Sequence, residues 1–323
     1  MPCLKTSVLC AMLAVSSLSV HAQTLLQPTN EPTSEPGSST QYKVIHVAGL
    51  DEVKPNVSGD LTLSQAALTF NNKYVATSIP RERIVNVFIG DQRTEPWGVT
   101  GKIARKIIPY GGGAALGAIT NKKVDLLTVE YRDTHDAYHG VVFVLPARKA
   151  AAVRDAILAG LIPPVEQPSS SCTEPLPGSV LVTPIQVSGI DLPDEYRILL
   201  YEQTIKELKI KRPEAKFFRV GDHSAGPGCA AFSLDITVTD FQKGNRAVRA
   251  STGPLGFFLG TTSLTFDVSL KDVHDKTVFD TQIKKSNRTD SESLGLADTI
   301  AKNVAKRFDK ATDNATVQMA SLR

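Results

Sequence analysis

Five prolines fall within the sixteen residues Pro163–Gly178 (PPVEQPSSSCTEPLPG). Each fixes its φ and removes a backbone donor, so neither a helix nor a central strand is expected to run through this stretch. The chain is therefore expected to divide there. Residues 42–162 form one domain, 163–178 a semi-extended linker, and 179–312 a second domain, each large enough to bury its own core. A second stretch, residues 23–41 (QTLLQPTNEPTSEPGSSTQ), is poor in anything to bury and reads as a flexible leader. Residues 313–323 read as a flexible tail.

The first 22 residues have the composition of an export signal. Lys5 supplies the only cation, an apolar run extends from Val8 to Val20, and Val20-His21-Ala22 meets the small-residue requirement of the general signal peptidase. Cleavage is expected between Ala22 and Gln23. The run is too short to span a bilayer, which takes about 20 residues. Cys10 follows the bulky Leu9, which does not suit lipidation. Further on, Ile107–Ile119 is broken by Pro109, Tyr110 and glycines, so no transmembrane span is expected in the mature chain. The expected location is periplasmic or secreted.

Loss of Lys5 lowers the formal charge from +3 to +2 (3 − 1). So weak a balance argues against a nucleic-acid footprint, which needs a concentrated basic face. Cys3 and Cys10 leave with the signal, and Cys172 and Cys229 remain. In an oxidising compartment these two are expected to form a disulfide. On the entropic account, closing a loop of nearly sixty residues stabilises the fold by about 4 kcal/mol.

Short alternating runs fill the first domain: Lys43–Ala48, Val57–Leu63, Ala67–Asn71, Tyr74–Ile79, Ile84–Gly90, Val124–Arg132 and Tyr138–Leu145. Polar or glycine-containing turns separate them, as in an antiparallel meander. After Pro146, Ala150, Val153, Ile157, Leu158 and Leu161 recur at helical spacing, with Arg148, Lys149, Arg154 and Asp155 opposite. The runs Gly59-Asp60-Leu61-Thr62-Leu63, Ala67-Leu68-Thr69-Phe70, Ile79-Pro80 and Ile84-Val85-Asn86-Val87 resemble the opening of pleckstrin-homology-like and GRAM-like domains. Leu126–Tyr131 and the terminal helix continue the resemblance. It implies an antiparallel β-barrel capped by a C-terminal helix, with residues 91–122 as an insertion. Such a fold does not by itself imply lipid binding.

In the second domain a strand is expected at Val180–Val187. A helix follows over Pro193–Ile210 (PDEYRILLYEQTIKELKI), with Tyr196, Leu199, Leu200, Ile205, Leu208 and Ile210 as its apolar face. Strands are expected at Lys216–Val220, Ala231–Phe241, Thr261–Leu270 and Thr277–Lys285, and a last helix at Ser291–Lys310, capped by Asp290 or Ser291. This order predicts an α+β sandwich, an antiparallel sheet carrying two helices. The run Gly244-Asn245-Arg246-Ala247-Val248-Arg249, with Gly253-Pro254 and Gly256, resembles a bacterial envelope family, often of lipoproteins, to which no function is assigned.

No constellation in the sequence commits it to catalysis. His135 and His139 flank Asp136 at a spacing that suits metal ligation on a helix, but RDTHDAYHG reads as a polar hairpin turn. No G-x-S-x-G elbow appears, and Gly98–Lys102 lacks the spacing of a phosphate loop. No catalytic residue, metal ligand or cofactor is therefore expected. Two contact surfaces are candidates. Trp97, Lys102, Arg105 and Lys106 form a basic, aromatic segment suited to anionic headgroups or an acidic partner. Leu255, Phe257, Phe258 and Leu259 form an apolar loop between glycines, which either tucks onto its own sheet or docks a partner or membrane. Arg246 and Arg249, three apart on an expected strand, should point to opposite faces and make no clamp by themselves. The expectation is an exported, non-enzymatic envelope protein that binds or assembles with an envelope protein or lipid surface. The alternatives are a periplasmic enzyme acting on an envelope polymer and a small-ligand or lipid carrier.

Overall fold

A computed structural model describes residues 39–94, 123–159, 161, 174–224, 228–242, 262–287 and 295–321. Seven strands come first: β1 (Thr40–Ala48), β2 (Val57–Leu63), β3 (Ala67–Asn71), β4 (Ala76–Pro80), β5 (Ile84–Thr94), β6 (Lys123–Arg132) and β7 (Tyr138–Pro146). They pair antiparallel in the order β4-β3-β2-β1-β7-β6-β5. The two end strands, β4 and β5, do not pair with each other among the described residues. The sheet is therefore open, which corrects the expected barrel, and nothing in it supports the resemblance to pleckstrin-homology-like domains. Hydrophobic alternation fixes which face of a strand is buried, but it does not encode whether the last strand closes onto the first.

The centre of this sheet is covered on both sides. β7 is buried along its whole length from Tyr138 to Leu145. Val141, Phe143 and Leu145 join Val44, Leu61, Phe70 and Leu127 in one core. Tyr138, Val142 and Val144 belong to another. Helix α1 (Ala150–Leu158) closes the first core with Val153 and Ile157. A side chain of β6 and one from the 3-10 turn after β4 hold the two ends of this helix. Asp125 Oδ2 accepts the backbone N–H of Lys149 and Ala150 at 2.9 and 3.1 Å. Arg81 Nη2 donates to the carbonyls of Ala156 and Ile157 at 2.8 and 2.7 Å. Anion at the N-terminus and cation at the C-terminus both satisfy orphan backbone groups and oppose the helix dipole.

The second sheet contains β8 (Glu174–Val182), β9 (Gln186–Val187), β10 (Lys216–Arg219), β11 (Gly228–Gln242), β12 (Thr262–Asp272) and β13 (Thr277–Asn287). Their order is β10-β8-β11-β12-β13, with β9 also on β11. The sheet is mixed, which corrects the expected antiparallel one. The pairs of β8 with β10 and β11 are parallel, whereas β11-β12 and β12-β13 are antiparallel. A parallel neighbour demands a crossover connection, and helix α2 (Asp194–Lys211) supplies it between β8 and β10.

β8 begins inside the proline-rich stretch, at Glu174. Pro175 and Leu176 lie opposite Cys229 and Ala230 on β11, while pairing with β10 starts only at Ser179. Prolines are tolerated where a strand has one neighbour. At Gly178, where φ is +68°, the register then shifts before the strand becomes central.

Helix α3 (Gly295–Ser321) packs beside α2. Both cover the apolar face of the second sheet, where Val180, Leu234, Ile236, Phe266, Val268 and Ile283 meet Tyr196, Leu200, Ile300 and Val304. α2 also lies on the first sheet, so its buried residues surround it: Ile198, Tyr201 and Glu202 in addition to the expected Tyr196 and Leu199. Ile210, expected on the apolar face, is 61% exposed. Residues 38–323 form one compact unit. Among the described residues no helix is long and apolar enough to cross a membrane.

Candidate functional site

Where α2 lies on the first sheet, the contact is charged rather than purely apolar. Gly140 on β7 makes it close. A Cβ there would stand 2.5 Å from Ile198 Cγ2. Its backbone N–H donates to Glu202 Oε1 at 3.0 Å. Glu202 also receives Nη1 and Nη2 of Arg219, from β10, at 2.8 and 2.7 Å, and both side chains are 6% exposed. Arg219 donates in addition to the carbonyl of Tyr138 at 3.2 Å and lies over the Tyr201 ring at 5.3 Å. One buried ion pair thus joins α2, β7 and β10.

A second pair lies one turn earlier on the helix. Arg197 Nη2 donates to Glu130 Oε1 at 2.6 Å and to Asp194 Oδ1 at 3.0 Å. Glu130, on β6, also accepts Tyr138 Oη at 2.7 Å and Asn86 Nδ2 at 3.1 Å. Burial disfavours the charge on each arginine, but Glu202 and Glu130 more than offset it, so both guanidiniums are held above their ordinary pKa. Tyr138 is pushed up by burial and by Glu130, and stays a neutral donor.

The β6–β7 hairpin completes the junction. Val220 and His135 accept backbone N–H groups from Tyr138 and His223 at 2.9 and 3.0 Å. Arg83, in the 3-10 turn between β4 and β5, reaches the Asp133 carbonyl and Asp136 of the same hairpin. His135 is exposed, as a polar turn predicts. His139 is not: it is buried, stacks on Tyr131 at 5.2 Å and contacts Asp133 Oδ2 through Nε2 at 3.3 Å. Burial and the nearby Arg219 hold its pKa below the ordinary value. Burial alone would raise Asp133, yet the N–H groups of His135 and Ala137 and the His139 ring hold it low. The two histidines of the motif sit on a turn and a strand, and no group of metal-ligating side chains forms among the described residues.

The residues singled out in the sequence fall mostly elsewhere. Ala22, Gln23, Trp97, Lys102, Arg105, Lys106, Cys172, Arg246, Arg249, Leu255, Phe257, Phe258 and Leu259 lie outside the described residues. Cys229 stands on β11 opposite Pro175. Of the residues that build the charged junction, Glu130, Arg197, Glu202 and Arg219 were not singled out. Their signal was weak: isolated charges inside otherwise apolar strands and helix turns, far apart in the chain.

No protein-family model and no curated protein matches the chain. Among solved structures, the PelC dodecamer from Paraburkholderia phytofirmans is similar at 14% identity and TM-score 0.28, covering 42% of this chain and 92% of that one. A point variant of that dodecamer gives 14% identity and TM-score 0.30, with 42% and 89% covered. A Xanthomonas campestris protein of family DUF330 gives 8% identity and TM-score 0.29, with 45% and 94% covered. At these values the likeness assigns neither fold nor function.

Proposed function

We propose that the chain is an exported, non-enzymatic protein of the bacterial envelope whose two sheets act as one rigid body in binding or assembly. The observation that carries this reading is the pairing at the junction. The buried carboxylates are occupied by the arginines, Tyr138, Asn86 and the Gly140 N–H. A charged group committed in this way fixes geometry, and removing one partner leaves an uncompensated buried charge. A catalytic acid or base instead needs its proton within reach of a substrate.

Export rests on the signal-like residues 1–22. The Cys172–Cys229 pairing belongs to the same reading. It is supported by position: Cys172 is two residues before Glu174, which lies opposite Gly228, the residue before Cys229.

The test is made on the whole chain, with its own leader and a C-terminal tag, in a bacterial host. The periplasmic fraction should contain protein beginning at Gln23, and cross-linking in intact cells should trap it in discrete larger species. Protein that keeps Met1 in the cytoplasm, or stays free of cross-linked species, contradicts the reading.

A further inference from the structure

The described part of the second sheet has one long edge. β13 pairs with β12, and with no other strand among the described residues. Residues 278–286 of it alternate in exposure. Phe279 and Ile283 lie opposite Leu270 and Phe266 on the apolar face, whereas Val278, Asp280, Gln282 and Lys284 are exposed on the other. Such an edge carries a row of backbone donors and acceptors that a further strand can use, and charged residues there ordinarily keep strands away.

Here the charges are spaced to suit a second copy of the same strand. A two-fold axis perpendicular to the sheet preserves its faces, so antiparallel self-pairing joins residues of equal parity. Centred on Gln282, it sets Asp280 of one copy opposite Lys284 of the other, and the reverse. Centred on Thr281, it sets Asp280 opposite Gln282. Centred on Ile283, it sets Asp280 opposite Ser286. Only the first of these registers matches the charges. Among the described residues neither the Asp280 nor the Lys284 side chain has an ion-pair or hydrogen-bond partner. Neighbours on the same face are engaged: Gln282 donates to Asp267 at 3.0 Å, and Lys271 pairs with Asp235 at 3.5 Å.

We propose that β13 is a homodimerisation edge, two copies pairing antiparallel about Gln282 with reciprocal Asp280–Lys284 contacts. This rests on the reading of the protein as an assembling body, and it names the partner. Opposite charges directly across a strand pair stabilise it and like charges destabilise it.

Sedimentation equilibrium of the purified mature chain tests this in wild type, Asp280→Lys, Lys284→Asp and the double exchange. The wild type should be a dimer at micromolar concentration. Each single change should weaken the dimer at least about tenfold, because two attractive pairs become two repulsive ones, and the double exchange should restore it. Asp280 and Lys284 are both exposed in the single chain, and an unchanged melting profile of the dissociated chains checks that folding is intact. A wild type that is monomeric throughout overturns the proposal, as does a dimer indifferent to the single changes. If cross-linked species persist in cells while the purified chain is monomeric, the homodimer fails and the assembly reading stands.

Discussion

His46 sits at the centre of the first core, its ring 5.9 Å from Phe70 and 6.1 Å from Phe143. Nδ1 donates to the Lys54 carbonyl at 3.3 Å, and Nε2 accepts the Leu50 N–H at 3.2 Å, a pattern that requires the neutral ring. Burial lowers its pKa from 6.5 to about 4. Because the folded value is depressed, the neutral ring contributes its full stability above the unfolded value. That contribution is lost as pH falls from 6.5 toward 4. At pH 5 the loss amounts to about 2 kcal/mol. Urea unfolding at pH 7 and pH 5 should show wild type losing about that much more than His46→Gln. His139 acts in the same direction and remains in both proteins. Equal losses would place His46 in a wetter environment than the structure shows. At this scale the sequence was a poor guide. A histidine in an alternating strand reads as inward, but the loop carbonyl and amide that hold it become neighbours only in the fold.

Elements were far more legible than their partners. β2 and β3 run over the residues expected, and α2 and β7 lie within one residue of expectation at each end, because periodicity and turn residues are local signals. What periodicity misses is a helix used on both sides. Ile198 packs against Gly140 of the first sheet, and Tyr201 meets both sheets, its ring edge-on to Tyr138 and its hydroxyl donating to the Val182 carbonyl at 3.3 Å. Gly140 is the matching feature on the strand. Replacing it by alanine should cost about 1–3 kcal/mol, since a Cβ would meet Ile198 2.5 Å away. Trimming Ile198 to alanine removes the obstacle, so the double variant should be less destabilised than the sum of the two single ones. Denaturant midpoints of the four proteins measure this coupling, and strict additivity would mean that the two residues do not touch.

At the scale of the whole molecule, two boundaries moved. The proline-rich stretch ends in a strand, because a parallel neighbour on one side leaves room for Pro175 and Pro177 on the other. The two halves expected to be separate domains share a core, in which Val142 and Val144 of the first sheet join Ile236 and Phe266 of the second through α2. Composition marks where a chain lacks order-promoting residues. It carries no record of which buried face meets which.

The central claim is that this junction makes the two sheets one cooperative body, and native-state hydrogen exchange of the mature chain tests it directly. Peptides from 123–146 and from 262–287 should open with the same free energy. Glu202→Leu, which strands Arg219, should lower both together by about 3–5 kcal/mol. Two distinct opening energies, with only one set of peptides responding to the substitution, would contradict it.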